Sequence, residues 1–245
     1  MKTVINTILI CIVLLATATF SRAAEPWEAE YGRLLAKYVT TAGTVKYKEW
    51  KADAADVAAL QKITDQIGVG GPADGSRNGR FAFHINAYNA WMLRTVLDAY
   101  PIKSVRDVAP LFGVFTQPRI MLGGKKVSLN HLEKNVLIPE FKDPRVHFAI
   151  NCASTSCPPL LNAPFTSAKL NAQLDGQSKA FANGGGGVQA SGKKVQVSKI
   201  FDWYSADFKA SGEAIGFLNK YRTETIPAGT KLSYSDYDWS LNEAR

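Results

Sequence analysis

An α+β fold of a single domain, with helices packed on a small and mostly antiparallel sheet, is what this sequence predicts. Three observations point there. Helical spacing of apolar residues dominates the early part of the chain, glycine-turn hairpins come later, and no internal repeat or linker divides it. A length of 245 residues and an apolar share of 46% suit one sizeable core. They exclude a disordered chain, a collagen and a multi-span membrane protein.

The first element is a targeting signal rather than part of the fold. Lys2, the uncharged apolar run Ile8–Ala16 and the small residues around Ser21-Arg22-Ala23 read as a secretory signal peptide cleaved after Ala23. The run is shorter than the ~20 residues of a membrane span, which favours export over anchoring. Cys11 inside it lacks the context of a lipid-attachment site. The expected organisation is a signal peptide over 1–23 and one domain over 24–245, periplasmic or secreted and not an integral membrane protein after processing. Cleavage lowers the net charge from +8 to +6. The cations are scattered, so the balance reads as solubility charge and nucleic acid is not an expected partner.

Trp27, Tyr31, Leu34, Leu35 and Tyr38 recur at helical spacing, and Ala54–Ile67 repeats the pattern, predicting two amphipathic helices. The Gly-, Asp- and Asn-rich stretch from Gly68 to Gly79 predicts a loop. Ile85, Tyr88, Met92 and Val96 then form one stripe of a central helix over about Ile85–Tyr100, stopped by Pro101. Apolar runs around Gly123-Gly124 predict a hairpin, because glycine accepts the positive φ of a tight turn. A helix follows, with Asn130 as its cap and Glu133 three residues on. Arg145–Ile150 predicts a buried strand. Thr166–Ala182 reads as a helix, Gly184–Gly187 as a loop, and Val188–Val197 as a second hairpin turning at Ser191-Gly192.

Chemistry-bearing residues concentrate in one place. His147, Cys152 and Cys157 lie between His147 and Pro159, and the remaining imidazoles are His84 and His131. A strand end running into small hydroxylated residues leaves backbone N–H groups free to bind an anion or a developing oxyanion. Three readings of the cysteine pair stay open. An even count in an exported chain suits a Cys152–Cys157 disulfide; a reactive thiol with a resolving partner is the second; two metal ligands are the third, although two Cys and one His fall short of a closed tetrahedral site. No metal and no other cofactor is expected. On a strand His147 points away from the face of Phe148, Ile150 and Cys152, so it meets Cys152 only if the chain turns after Ile150. A buried histidine bonded to a backbone carbonyl is the plain alternative. The aromatic and acidic segments Ile200–Phe208 and Tyr237–Asn242 fit core rings with capping carboxylates better than a pocket wall. Asn86 and Asn89, on the central helix, suit either structural hydrogen bonding or donation into a pocket.

Together these segments carry a resemblance. Phe83-His84-Ile85-Asn86-Ala87-Tyr88-Asn89-Ala90, Leu132-Glu133, Arg145–Ala149 with Asn151-Cys152-Ala153 and Ser156–Leu160, Ile200-Phe201 with Trp203-Tyr204 and Asp207-Phe208, and Tyr237–Asn242 resemble the ordered signatures of the domain of unknown function 547 family, in an exported bacterial-type member. The resemblance implies shared positions at Asn86, Asn89, Glu133, His147, Cys152 and Cys157, and no settled reaction. His84 departs from it, standing where a tryptophan is usual, and His131 lies off its motifs. A helix followed by a His-bearing strand is also faintly similar to transglutaminase-like and papain-like thiol enzymes, an analogy only, since Asn86 lies where their nucleophile would be.

Two functions of different class follow. One is an exported thiol-dependent enzyme performing acyl transfer, amide hydrolysis or thiol exchange, with Cys152 as nucleophile, His147 as base or orienting group, and Glu133 and Asn86 as supporting polar groups. The other is a non-catalytic binding domain held by a Cys152–Cys157 disulfide. Either takes an unidentified small molecule or peptide.

Overall fold

A computed structural model describes residues 26–191 and 194–244. The expected signal peptide and Gly192 of the second turn lie outside them. Trp27, Tyr31, Leu34, Leu35 and Tyr38 form the buried stripe of α1 (Pro26–Tyr38). After α2 (Tyr47–Ala52), the Asp53 side chain accepts the Asp56 N–H and opens α3 (Ala54–Val69). Ser76 does the same for α4 (Arg77–Ala99), which is buried along most of its length and is the central helix. It begins earlier than the apolar stripe indicates. Gly79, which composition assigns to a loop, lies in its first turn because the Ser76 cap accepts its N–H, and the position takes only glycine since an added Cβ would sit 2.2 Å from the Asp74 carbonyl oxygen.

A 3-10 turn (Val105–Val108) and α5 (Gly113–Thr116) lead to the first hairpin, β1 (Ile120–Leu122) with β2 (Lys125–Val127). Gly123 and Gly124 turn it at φ +56 and +74, as expected. The following helical segment runs through α6 (Leu129–His131), a π-helical turn (Leu132–Leu137) and α7 (Ile138–Phe141). Ser128, not Asn130, is its cap, because the serine hydroxyl accepts the His131 N–H at 3.0 Å.

Arg145–Ile150 is not a strand. Residues Pro144–Phe148 form a 3-10 helix, since Asp143 accepts the Arg145 N–H and Pro144 occupies the first helical position. That start signal overrides the β preference of Val146 and Phe148. α8 (Leu170–Asn183) opens a little later than Thr166. β3 (Val188–Ser191) and β4 (Lys194–Val197) pair antiparallel as the second hairpin, and β5 (Leu232–Tyr234) adds a parallel strand. α9 (Ile200–Trp203), α10 (Ser205–Phe208), a 3-10 turn (Lys209–Ser211) and α11 (Glu213–Tyr221) lie between.

The apolar residues gather in two cores. The larger is built on α1, α3, α4 and the first hairpin; the smaller holds Phe181, Val197, Phe201, Phe208 and Phe217. The 3-10 helix joins them, with Val146 in the larger core and Phe148 packed 5.0 Å from Phe181 and 5.2 Å from Phe217 in the smaller. The tail closes the seam. Asn242 N–H donates to Ala153 O at 3.1 Å, and Val45 N–H donates to Asn242 O at 3.0 Å. The fold is α+β, with helices around two small, mostly antiparallel sheets. Among the described residues no helix is long and apolar enough to cross a membrane.

Candidate active site

The site is assembled at that seam, and asparagines set its geometry. From α4, Asn89 donates to Ala149 O at 2.9 Å and accepts the Asn151 N–H at 2.8 Å. Asn151 in turn donates to Pro158 O and accepts the Ala153 N–H, each at 2.8 Å. Cys152 is thus pinned on both sides. Ala153 turns the chain at φ +59, and Cys157 returns so that its sulfur accepts the Cys152 N–H at 2.8 Å.

Both cysteines are free thiols, so the expected Cys152–Cys157 disulfide is not formed in this structure. The Cys157 sulfur is instead used as an acceptor of the Cys152 amide. The Cys152 sulfur lies 3.0 Å from Ser154 Oγ and 3.2 Å from the Tyr237 hydroxyl. Burial pushes the Cys152 thiol up, but hydrogen bonds from Cys157, Ser154 and Tyr237 outweigh it and bring the thiol below its ordinary value. Cys157 moves the other way. Burial and the neighbouring Cys152 charge hold it protonated, so it can donate to that sulfur. Burial likewise keeps the Tyr237 phenol protonated.

His147, only 4% exposed, donates from Nε2 to Asp207 Oδ2 at 2.8 Å. An ionised carboxylate only accepts, so the proton sits on Nε2 and Nδ1 is the nitrogen left for a reacting group. Its ring lies on Tyr204, 4.0 Å between centroids, and the Tyr204 hydroxyl donates to buried Glu133. Glu133 stands in the π-helical turn, a feature often found at functional sites.

Cys152, Cys157, His147, Asp207, Tyr204 and Glu133 all line one cavity of about 670 Å³. The fold therefore brings together three of the four residues expected to carry the chemistry. Asn86 is elsewhere. It donates to Phe165 O at 2.8 Å and accepts the Phe165 N–H at 2.9 Å, both its groups being used up on a buried loop. His84 bonds the Arg80 carbonyl from α4 and His131 is exposed. No group of three or more His, Cys, Asp or Glu among the described residues could hold a metal.

Sequence reasoning missed Ser154, Tyr204, Asp207 and Tyr237 as partners. The aromatic–acidic segments that contain three of them were the signal, read as core. That reading fits Phe201 and Phe208, which are buried, but Trp203, Tyr237 and Trp239 wall the cavity instead.

Comparison with known families adds one fact. Residues 72–182 match the family model described as a protein of unknown function, DUF547. The matched segment contains Asn89, Glu133, His147, Cys152 and Cys157, while the blocks with Tyr204, Asp207 and Tyr237 lie beyond it. No curated protein and no solved structure matches.

Proposed function

We propose that the protein is an exported thiol-dependent enzyme that performs acyl transfer or amide hydrolysis through Cys152. The observation that carries this reading is the cradle around the Cys152 sulfur, with the Ser154 and Tyr237 hydroxyls at 3.0 and 3.2 Å, inside the cavity that His147 and Asp207 also line. A thiolate is the nucleophilic form, and donors that lower its pKa populate it. The thiol proton passes to His147 Nδ1. The sulfur then bonds to the substrate carbonyl carbon, the carbon–nitrogen or carbon–oxygen bond breaks, and His147 gives the proton to the departing amine or alcohol. Water, deprotonated by neutral His147, cleaves the thioester and restores the thiol. Asp207 holds the imidazole in the required tautomer throughout.

The test is reaction with p-nitrophenyl acetate. A burst of nitrophenol and one acetyl group on Cys152 by mass spectrometry are expected, both absent in Cys152→Ala. Steady turnover without a burst, or acetylation unchanged in Cys152→Ala, would refute the reading.

A second reading, thiol exchange, is favoured by the Cys157 sulfur lying against Cys152. Cys152 would attack a substrate disulfide and release one thiolate; Cys157 would lose its proton, attack the mixed disulfide and release the other. Incubation with glutathione disulfide then leaves a Cys152–Cys157 bridge. A protein acetylated at Cys152 that forms no such bridge acts by the first route alone.

A further inference from the structure

The mouth of the cavity carries a row of rings of which the chemistry above uses only the Tyr237 hydroxyl. Phe112 meets Trp239 at 5.0 Å between centroids, Trp239 meets Trp203 at 6.0 Å and Tyr237 at 4.6 Å. The Tyr237 hydroxyl lies 3.2 Å from the Cys152 sulfur. The row therefore runs unbroken from solvent to the thiol. Its outer members are exposed, Trp203 to 47% and Phe112 to 37%, and adjacent Leu111 to 95%. Exposing large apolar groups to water costs free energy, and a cluster of them at a cavity mouth marks a surface that something covers.

The backbone presenting this rim is fixed. Leu111 and Phe112 are consecutive non-glycine residues at φ +52 and +58, a conformation disfavoured for any side chain with a Cβ. Gly113 N–H donates to Pro110 O, Phe115 N–H donates to Phe112 O, and the Arg106 guanidinium lies 4.9 Å above the Phe112 ring. Ser104 Oγ holds the Trp239 carbonyl at 2.6 Å. Rings so anchored need little reordering when a ligand arrives.

We propose that this row is a subsite for an aromatic ring of the substrate that Cys152 attacks. The inference rests on the acyl-transfer reading of Cys152. Occupancy follows from continuity, because a ring seated against Trp203 and Trp239 is led by the same row to Tyr237 and the sulfur. Aromatic pairs gain about threefold to tenfold in affinity beyond what their area alone supplies. An aliphatic group of equal bulk does not. The ring can come from an aromatic residue of a peptide or from a small aryl acid.

Calorimetric titration of the Cys152→Ala protein, which holds a probe without reacting, tests this. The probes are N-acetylphenylalaninamide, its cyclohexylalanine analogue, N-acetylglycinamide and benzamide. Phenylalaninamide or benzamide should bind at least threefold more tightly than the cyclohexyl and glycine compounds, and whichever leads identifies the source of the ring. Trp203→Ala in the same background should remove the preference; Trp203 is half-exposed, so folding is not at stake. Equal affinity for phenyl and cyclohexyl, a preference that survives both Trp203→Ala and Phe112→Ala, or no binding would overturn the proposal. Wild-type protein challenged with the p-nitrophenyl ester of N-acetylphenylalanine separates the two claims. Ring preference without acylation of Cys152 would end the thiol-enzyme reading and leave the subsite standing.

Discussion

The Cys152 sulfur is short of charge compensation only if its hydroxyl neighbours are removed, and this makes single atoms decisive. Ser154 has one proton to give and lies within reach of both the sulfur and the Tyr237 oxygen, so the Tyr237 proton is the one free to serve the thiolate. A hydrogen bond to a charged group is worth ~1.5–3 kcal/mol and a pKa unit ~1.4 kcal/mol. Tyr237→Phe should therefore raise the Cys152 titration midpoint by about one pH unit, followed by thiolate absorbance. An unchanged midpoint would mean that the donor is idle. Cys152, Cys157 and His147 were legible in the sequence because they share one short segment. Tyr237 and Asp207 were not, since each is brought to the site by folding from a distant segment that its aromatic composition assigned to the core.

At the level of elements, the first helices owe their mutual packing to one buried carboxylate as well as to their apolar stripes. Asp56 on α3 accepts from Arg33 at 2.5 Å, Lys37 at 2.7 Å and Tyr38 at 2.8 Å on α1. The Arg33 hydrogen bond, outweighing the cost of burial, holds its carboxyl well below the usual carboxylate range. A depressed folded pKa contributes stability that is fully present above pH ~4 and is lost as pH falls through the folded value. Both cations are nearly half-exposed, so Asp56→Asn should cost only ~1–2 kcal/mol at neutral pH. The deficit should shrink in thermal melts as the pH is lowered through the acid range; a constant deficit would contradict the assignment. The two asparagines of α4 separate in the same way. Asn86→Ala and Asn89→Ala each leave buried backbone groups unpaired and should each lower stability by ~2–3 kcal/mol. Only Asn89→Ala, at a temperature where both variants remain folded, should slow Cys152 alkylation several-fold. Helices α1, α3, α4 and α8 were legible from apolar spacing and the first hairpin from its glycine pair, whereas α2, α9, α10, α11 and β5 were not, being short or lacking a clean apolar period. The 3-10 helix at Pro144–Phe148 was not, because its Val and Phe side chains suggest a strand while Asp143 and Pro144 decide the backbone.

Across the whole molecule, the cavity lies where two cores meet and where the tail crosses. The segment over residues 72–182 that matches the family model supplies the thiols and the histidine, the smaller core supplies Asp207 and Tyr204, and the tail supplies Tyr237 and Trp239. Truncation after Ser235 should therefore remove the sulfur's hydroxyl donor together with the Asn242 bonds to Val45 and Ala153, abolishing selective Cys152 reactivity and lowering Tm. Selective reactivity that persists in the truncated chain would show that the tail is dispensable. The central claim, that Cys152 is a thiol held ready as a nucleophile, is tested most directly by the rate of its alkylation with iodoacetamide against pH in the reduced, folded protein, read by peptide mapping. The expected result is a midpoint below the ~8.5 of an ordinary thiol, with Cys152 labelled before Cys157. A midpoint at or above that value, or labelling of Cys157 first, would contradict it.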